Sequence, residues 1–111
     1  MVSFRRMNKL IRSTGRMTKL MQARKARDDS DAMKIYAAMV DDLRRMQEEL
    51  TPMIEVLEDH EQRMILTLRY LKGYDYPWIA DNMKSSERLV YRYLRTAKDK
   101  LFELYPGQIE P

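Results

Sequence analysis

Apolar side chains recur at helical spacing along most of the chain. In residues 5–27 lysines and arginines separate the members of one apolar face, which are Met7, Leu10, Ile11, Met17, Leu20 and Met21. Gly15 interrupts this pattern, and because glycine costs a helix about 1 kcal/mol relative to alanine, we expect a bend or fraying there. No segment alternates apolar and polar residues for long enough to indicate a strand, so the predicted fold class is all-α.

A long second helix is predicted from Ser30 to Leu50. The cluster Asp28-Asp29-Ser30-Asp31 supplies N-cap residues and first-turn acids. Thr51-Pro52 predicts a stop and a restart, because proline cannot donate to the preceding turn but suits the first turn of a new helix. The apolar face of this helix consists of Met33, Tyr36, Ala37, Val40, Leu43 and Leu50.

The apolar face of residues 30–50 is larger than the area that the rest of the chain can cover. We therefore predict that its six members are oligomerisation residues, with a dimer favoured. Residues 7–21 are expected to pack against it as a helical hairpin. A disordered cationic arm is the alternative for the same basic segment.

Three more helices are predicted in the C-terminal half. The first covers residues 60–72 and stops at Gly73; the second runs from Tyr76 to Met83 with Asp75 as its cap; the third follows Ser86 and reaches Leu104. The residues predicted to face inward are Met64, Ile65, Leu68 and Leu71 in the first helix, and Val90, Leu94, Ala97, Leu101 and Leu104 in the third. The last four residues are expected to be loose.

Charge divides the chain into three parts. Residues 1–27 carry nine Lys/Arg and no acid, residues 28–61 carry eleven acids against three bases, and residues 62–111 carry nine bases against six acids. We therefore divide the chain into three predicted segments: a basic amphipathic helix or arm at 1–27, an acidic oligomerisation helix at 28–52 and a helical module at 53–111. Two basic ends predict a polyanionic partner that is met at two places.

The helices at 76–83 and 87–104, joined by a tight turn, form a helix-turn-helix pattern, with the small Ala80 where they must pack closely. If the apolar residues of the last helix face inward, a polar face remains on its opposite side. Its members, predicted to contact DNA bases in the major groove, are Glu87, Arg88, Tyr91, Arg92 and Arg95. The residues predicted to contact DNA phosphates are Lys72, Lys84, Ser86, Lys98 and Lys100.

Four stretches of the C-terminal half resemble a known family. They are Arg69-Tyr70-Leu71-Lys72-Gly73, Ile79-Ala80, residues 86–90 and residues 97–101. Together they resemble region 4 of the sigma-70 family and the RinA- and ArpU-type late transcription regulators of Gram-positive phages, which use the same module. Such modules usually place glycine at the position of Lys84, which implies a positive φ there.

The resemblance implies a sequence-specific regulator of transcription that binds double-stranded DNA, and a phage late-gene activator in particular. It also implies host RNA polymerase as a possible partner and the bacterial cytoplasm as the location. Two alternatives stay open: a small-terminase-like subunit that recognises DNA for packaging, and a sigma-like protein that binds RNA polymerase without contacting DNA.

The sequence gives little support for catalysis, a metal or a cofactor. The chain has no cysteine, and His60-Glu61 is followed by Met64 where a zinc-protease motif needs a second histidine. Neighbouring acids such as Asp41-Asp42 point about 100° apart on a helix and are typical of solvated surface. We predict no enzymatic activity, no cofactor and no metal site. No apolar run is long enough for a membrane span, so no membrane partner is expected.

Overall fold

A computed structural model describes residues 1–23 and 30–111, and this part of the chain is all-α, as predicted. The order of elements is β1 (Val2–Ser3), α1 (Phe4–Ala23), α2 (Ser30–Glu55), α3 (His60–Leu66), a π-helical turn (Thr67–Leu71), α4 (Tyr76–Asn82), α5 (Glu87–Leu104) and β2 (Ile109–Glu110). The predicted caps Asp28 and Asp29 lie outside the described residues, as do the basic residues Arg24, Lys25 and Arg27.

The first two helices pack against each other as the predicted hairpin. α1 continues through Gly15 without a break, so the expected fraying there is wrong. The Thr18 and Tyr36 hydroxyls lie 3.0 Å apart across the two helices, and Arg6 pairs with Asp42. The hairpin is thus joined by polar contacts as well as by apolar packing.

The stop predicted at Thr51-Pro52 is wrong, because α2 continues through Pro52 to Glu55. A proline inside a helix costs about 3 kcal/mol. Leu50, Met53 and Ile54 are buried on the core side of this stretch, and burying each such side chain contributes about 1.5–3 kcal/mol. Burial therefore outweighs the proline penalty, and the predicted segment boundary after residue 52 lies inside one helix.

The helix predicted at 60–72 is present, but its last turn is π-helical and its buried face differs from the prediction. Lys72 N donates to Thr67 O at 2.9 Å, the bond that closes the wider turn. The fully buried side chains here are Ile65, Leu66, Arg69 and Tyr70, whereas Met64, Leu68 and Leu71 are only partly buried. The buried face is therefore rotated around the helix from the predicted one, and the rotation is already present at Leu66, before the π-helical turn begins.

Both chain ends are fastened to the core, so the expectation of loose C-terminal residues is wrong. Val2 pairs with Ile109 in a two-residue parallel ladder, and Val2 N donates to Gln108 O at 3.2 Å. Both apolar side chains are buried. Leu104, which was predicted to face the core, is instead exposed, as is Leu20 on α1.

The turn between α4 and α5 has the hydrogen bonds of a Schellman motif. Ser85 N donates to Ala80 O at 2.8 Å, and Lys84 N donates to Asp81 O at 3.2 Å. This motif requires a left-handed residue after the helix, and Lys84 has a φ of +52°, as the resemblance implied. Ser86 then caps α5, because its hydroxyl accepts from Leu89 N at 3.2 Å.

Asn8 on α1 joins the hairpin to the C-terminal helices. Its side-chain oxygen accepts from Arg69 Nε at 3.0 Å and from the Tyr76 hydroxyl at 3.2 Å, and its amide donates to the Tyr70 hydroxyl at 3.2 Å. Arg69 Nη1 donates to Tyr74 O at 3.0 Å. One side chain of α1 thus binds the π-helical turn and the start of α4 together.

Replacing Lys84 by glycine should stabilise the protein by about 1 kcal/mol, because an L-residue pays a steric cost in the left-handed conformation that glycine avoids. Thermal unfolding should show this as a rise of about 4 °C in the midpoint. Lys84→Ala is the matched control, since alanine keeps the steric cost while losing the same charge. Equal midpoints for the two variants would contradict the assignment of strain to this residue.

Asn8→Ala should lower the free energy of unfolding by about 2–3 kcal/mol, because it leaves a buried guanidinium and two tyrosine hydroxyls short of a partner. Urea unfolding measures this change, with an unchanged slope indicating that only stability is altered. The exposed neighbour Lys9 provides the control, and Lys9→Ala should stay within about 0.5 kcal/mol of the wild type. A loss of similar size in both variants would show that Asn8 has no special role.

Candidate nucleic-acid interface

α5 has one buried face and one exposed face, as its sequence pattern predicts. Val90, Leu94, Ala97 and Leu101 are buried against the core. The predicted base-contacting residues are all on the exposed side: Glu87, Arg88, Tyr91, Arg92 and Arg95. Four of these five, all except Glu87, line one shallow open depression. The structure therefore brings the predicted residues together on an accessible surface.

α4 holds this helix in place from behind. Ile79 and Ala80 are buried in the same core as Val90, and the small Ala80 side chain lets the two helices approach closely. Asp75 caps α4 by accepting from Trp78 N at 3.0 Å. Because both helices begin at a side-chain cap and meet at a hydrogen-bonded turn, the tilt of α5 is set by local bonds as well as by packing.

Tyr91 connects the exposed face of α5 to the buried network. Its ring lies 4.4 Å from the ring of Tyr76 while 52% of the residue stays exposed. Burial is the largest cause that raises the pKa of Tyr76 above its usual value of 10.0, and the pKa of Tyr70 is raised for the same reason. Both hydroxyls are thus protonated at neutral pH, as the bond donated by Tyr76 to Asn8 requires.

The five predicted phosphate contacts do not lie on one surface, and some already have partners within the chain. Lys72 and Lys84 are exposed, but Lys72 lines a cleft between α1 and α2. Lys100 lies 3.7 Å from Glu103. The Lys98 ammonium is 5.7 Å from the centre of the Phe4 ring, so this residue also packs on the N-terminal segment. The Ser86 hydroxyl is used by the helix cap.

The aromatic residues around the start of α4 have separate environments. Tyr70 is fully buried, with its ring 4.8 Å from Phe4. Tyr74 and Trp78 stack at 3.7 Å on the surface, and each is about one-third exposed, at 38%. Tyr70 is thus part of the core, whereas Tyr74 and Trp78 pack on each other at the surface.

The six predicted oligomerisation residues do not form one free surface. Leu50 is fully buried in the core, Leu43 packs against it, and the Tyr36 hydroxyl contacts Thr18, so these three have partners inside the chain. Met33, Ala37 and Val40 remain exposed at helical spacing on the N-terminal half of α2. Of the six predicted residues, these three are therefore the ones exposed to a second chain, and Val40 also lines the cleft between α1 and α2.

In residues 1–23 and 30–111, no group of three histidine, aspartate or glutamate side chains is placed to hold a metal ion. Among the same residues, no helix is both long enough and apolar enough to cross a membrane.

Comparison with known proteins agrees with the geometry of the C-terminal half. No curated protein and no solved structure matches the chain. Residues 59–101 match the family model described as sigma-70, region 4, a helix-turn-helix domain that binds DNA. The matched range includes α3, α4 and most of α5, and it leaves α1 and α2 outside. Residues 59–101 are therefore similar to the sigma-70 region 4 helix-turn-helix domain, and the likeness indicates a role linked to DNA binding and transcription.

Proposed function

We propose that the protein is a sequence-specific regulator that binds duplex DNA by placing the first turns of α5 in the major groove. The supporting observation is that α5 exposes Arg88, Tyr91 and Arg92 together while its apolar face is held by α3 and α4. In helix-turn-helix proteins the N-terminal part of the second helix contacts the base edges.

The residue types on this face suit base recognition. An arginine fork can bind O6 and N7 of guanine, and a carboxylate such as that of Glu87 can accept from N4 of cytosine. A good two-bond contact of this kind contributes about 1–3 kcal/mol to the discrimination between bases. Lys84 lies in the turn before α5 and Lys100 lies further along the same helix, and phosphate contacts there would position the domain without sequence preference. Lys72 lies in the cleft between α1 and α2.

Arg92→Ala should relax sequence preference at one base pair, while Lys84→Ala should weaken binding to all sequences alike. A selection from a random duplex library defines the preferred site, and gel shifts on that site and its single-base variants then measure both effects. Arg92→Ala should lose the preference for one base by about 1–3 kcal/mol. Equal losses from both variants on selected and random duplexes would contradict the assignment of these roles.

Salt dependence provides a second measurement on the wild-type protein. With about four to six phosphate contacts, log K should fall against log salt with a slope of roughly −4 to −5. A gel shift that is negative at low salt would contradict DNA binding and favour a protein that contacts RNA polymerase alone.

We further propose that the protein acts as a dimer whose contact is the exposed stripe Met33, Ala37 and Val40. These residues recur at intervals of four and three, so they lie on one side of α2. A two-fold dimer would read half-sites about 10–10.5 base pairs apart, or at multiples of that spacing.

Val40→Asp should shift the protein from dimer to monomer, because a carboxylate would be buried in the apolar contact. Light scattering coupled to gel filtration measures the mass. Ile35 provides the matched control, since it is exposed on the opposite side of the same helix and Ile35→Asp should leave the dimer intact. A monomeric wild type would contradict the proposal, and a ring of eight or more copies would favour the DNA-packaging alternative.

The biological setting that we propose is activation of phage late genes in the bacterial cytoplasm, beside host RNA polymerase. The likeness of residues 69–73 and 86–90 to phage late regulators supports this setting. Footprinting on the DNA upstream of terminase and portal genes tests it directly. Protection of that region is expected, and protection elsewhere only would contradict late control.

A further inference from the structure

α1 carries a continuous stripe of basic side chains that the helix-turn-helix domain does not include. The stripe recurs at intervals of three and four and consists of Arg5, Lys9, Arg12, Arg16 and Lys19, all of them exposed. Arg6 lies off this stripe and pairs with Asp42. Among the described residues no ion pair involves any of the five, so their charges are available to a partner.

The C-terminal half of this stripe borders a groove between α1 and the start of α4. Arg12, Arg16 and Lys19 form one wall, and the stacked Tyr74 and Trp78 rings form the other. The carboxylate of Asp75, which also lines the groove, already accepts the hydrogen bond that caps α4. The groove therefore combines unpaired positive charge with a flat aromatic wall.

Two short contacts connect this groove to the exposed face of α5. The Arg69 guanidinium, which lines the groove, lies 4.5 Å from the centre of the Tyr76 ring. The Tyr76 ring in turn lies 4.4 Å from the ring of Tyr91 on the recognition face. A duplex that contacts Tyr91 would thus reach the mouth of the groove within a short distance.

We propose that the α1–α4 groove binds the sugar-phosphate backbone of the same duplex, beyond the bases that α5 contacts. This inference rests on the proposed function. From Arg12 to Lys19 the helix rises about 10 Å, which is about the length of three base pairs measured along the DNA axis, where each strand carries one phosphate per ~3.4 Å. Arginine and lysine supply the charge and the hydrogen-bond donors, and the contact adds affinity without sequence preference.

The experiment compares Arg12→Gln/Arg16→Gln with the matched variant Arg44→Gln/Arg45→Gln, which removes two charges from exposed arginines of α2. Gel shifts use the duplex selected by the wild-type protein, over a range of salt. Losing two phosphate contacts should make the salt slope of the α1 variant less steep by about 1.8. Raising salt fourfold should then weaken the wild type about twelvefold more than this variant, whereas the α2 variant should follow the wild type.

Shortening the duplex to the bases defined by the selection separates a groove contact from a general effect of charge. The wild type and the α1 variant should bind this short duplex equally, because the flanking backbone is absent. A deficit that persists on the short duplex, or an equal deficit in the α2 variant, would overturn the proposal.

The remaining outcomes distinguish this inference from the proposed function. If the wild type binds the selected duplex and the α1 variant binds it equally at every salt concentration, the groove proposal fails and DNA binding by α5 stands. If the wild type then binds vesicles of anionic lipid through these arginines, the stripe is a membrane contact, which also overturns the proposal. If the wild type binds no duplex at all, the proposed function itself fails.

Discussion

The arrangement of the helices depends on one buried cation. Arg69 is only 2% exposed, and burying a guanidinium is costly unless its donors are satisfied. Nε donates to Asn8 of α1, Nη1 donates to the Tyr74 carbonyl, and the group lies over the Tyr76 ring. Moving α1 away from the C-terminal helices would remove the Asn8 bond and leave the buried Arg69 guanidinium with an unsatisfied donor. α1 is therefore part of the framework that holds the helix-turn-helix in place, rather than an appendage to it.

The same network includes the last turn before Gly73, which is π-helical. Arg69 and Tyr70 lie four residues after Ile65 and Leu66, on the same buried side of the helix. The freed carbonyl of Tyr70 then accepts from Gln47 of α2 at 2.9 Å, which satisfies a group that the helix end leaves without a partner. The buried side is therefore not the apolar face that periodicity predicted, which included Met64, Leu68 and Leu71. Arg69 and Tyr70 on this side make the contacts that fasten both hairpin helices to the C-terminal helices.

The sequence was most informative where the determining interactions are local. Asp75 and Ser86 cap the helices that follow them, and Lys84 takes the left-handed conformation of the turn, because each depends on bonds within a few residues. Pro52 was misinterpreted because the burial that keeps α2 helical comes from distant residues. The pairing of Val2 with Ile109 and the bond between Asn8 and Arg69 join opposite ends of the chain, and periodicity contains no signal for either. The exposed face of α5 could be predicted, whereas its connection to α1 through Tyr91 and Tyr76 could not.

The division of charge along the sequence becomes a division of surfaces in the fold. The acidic α2 pairs with α1 at the edge of the basic surface, through Asp42 and Arg6, whereas Asp41 pairs with Arg44 and Arg45 of its own helix. Arg6 lies about 100° around α1 from Arg5. Its ion pair with Asp42 therefore turns the Arg6 side of α1, and not the Arg5 side, toward α2. The stripe that begins at Arg5 is thereby kept clear of the acids of α2. The acidic α2 thus orients the basic stripe of α1 away from its own carboxylates. A polyanion that approaches α5 would meet this stripe with its positive charges not paired to α2.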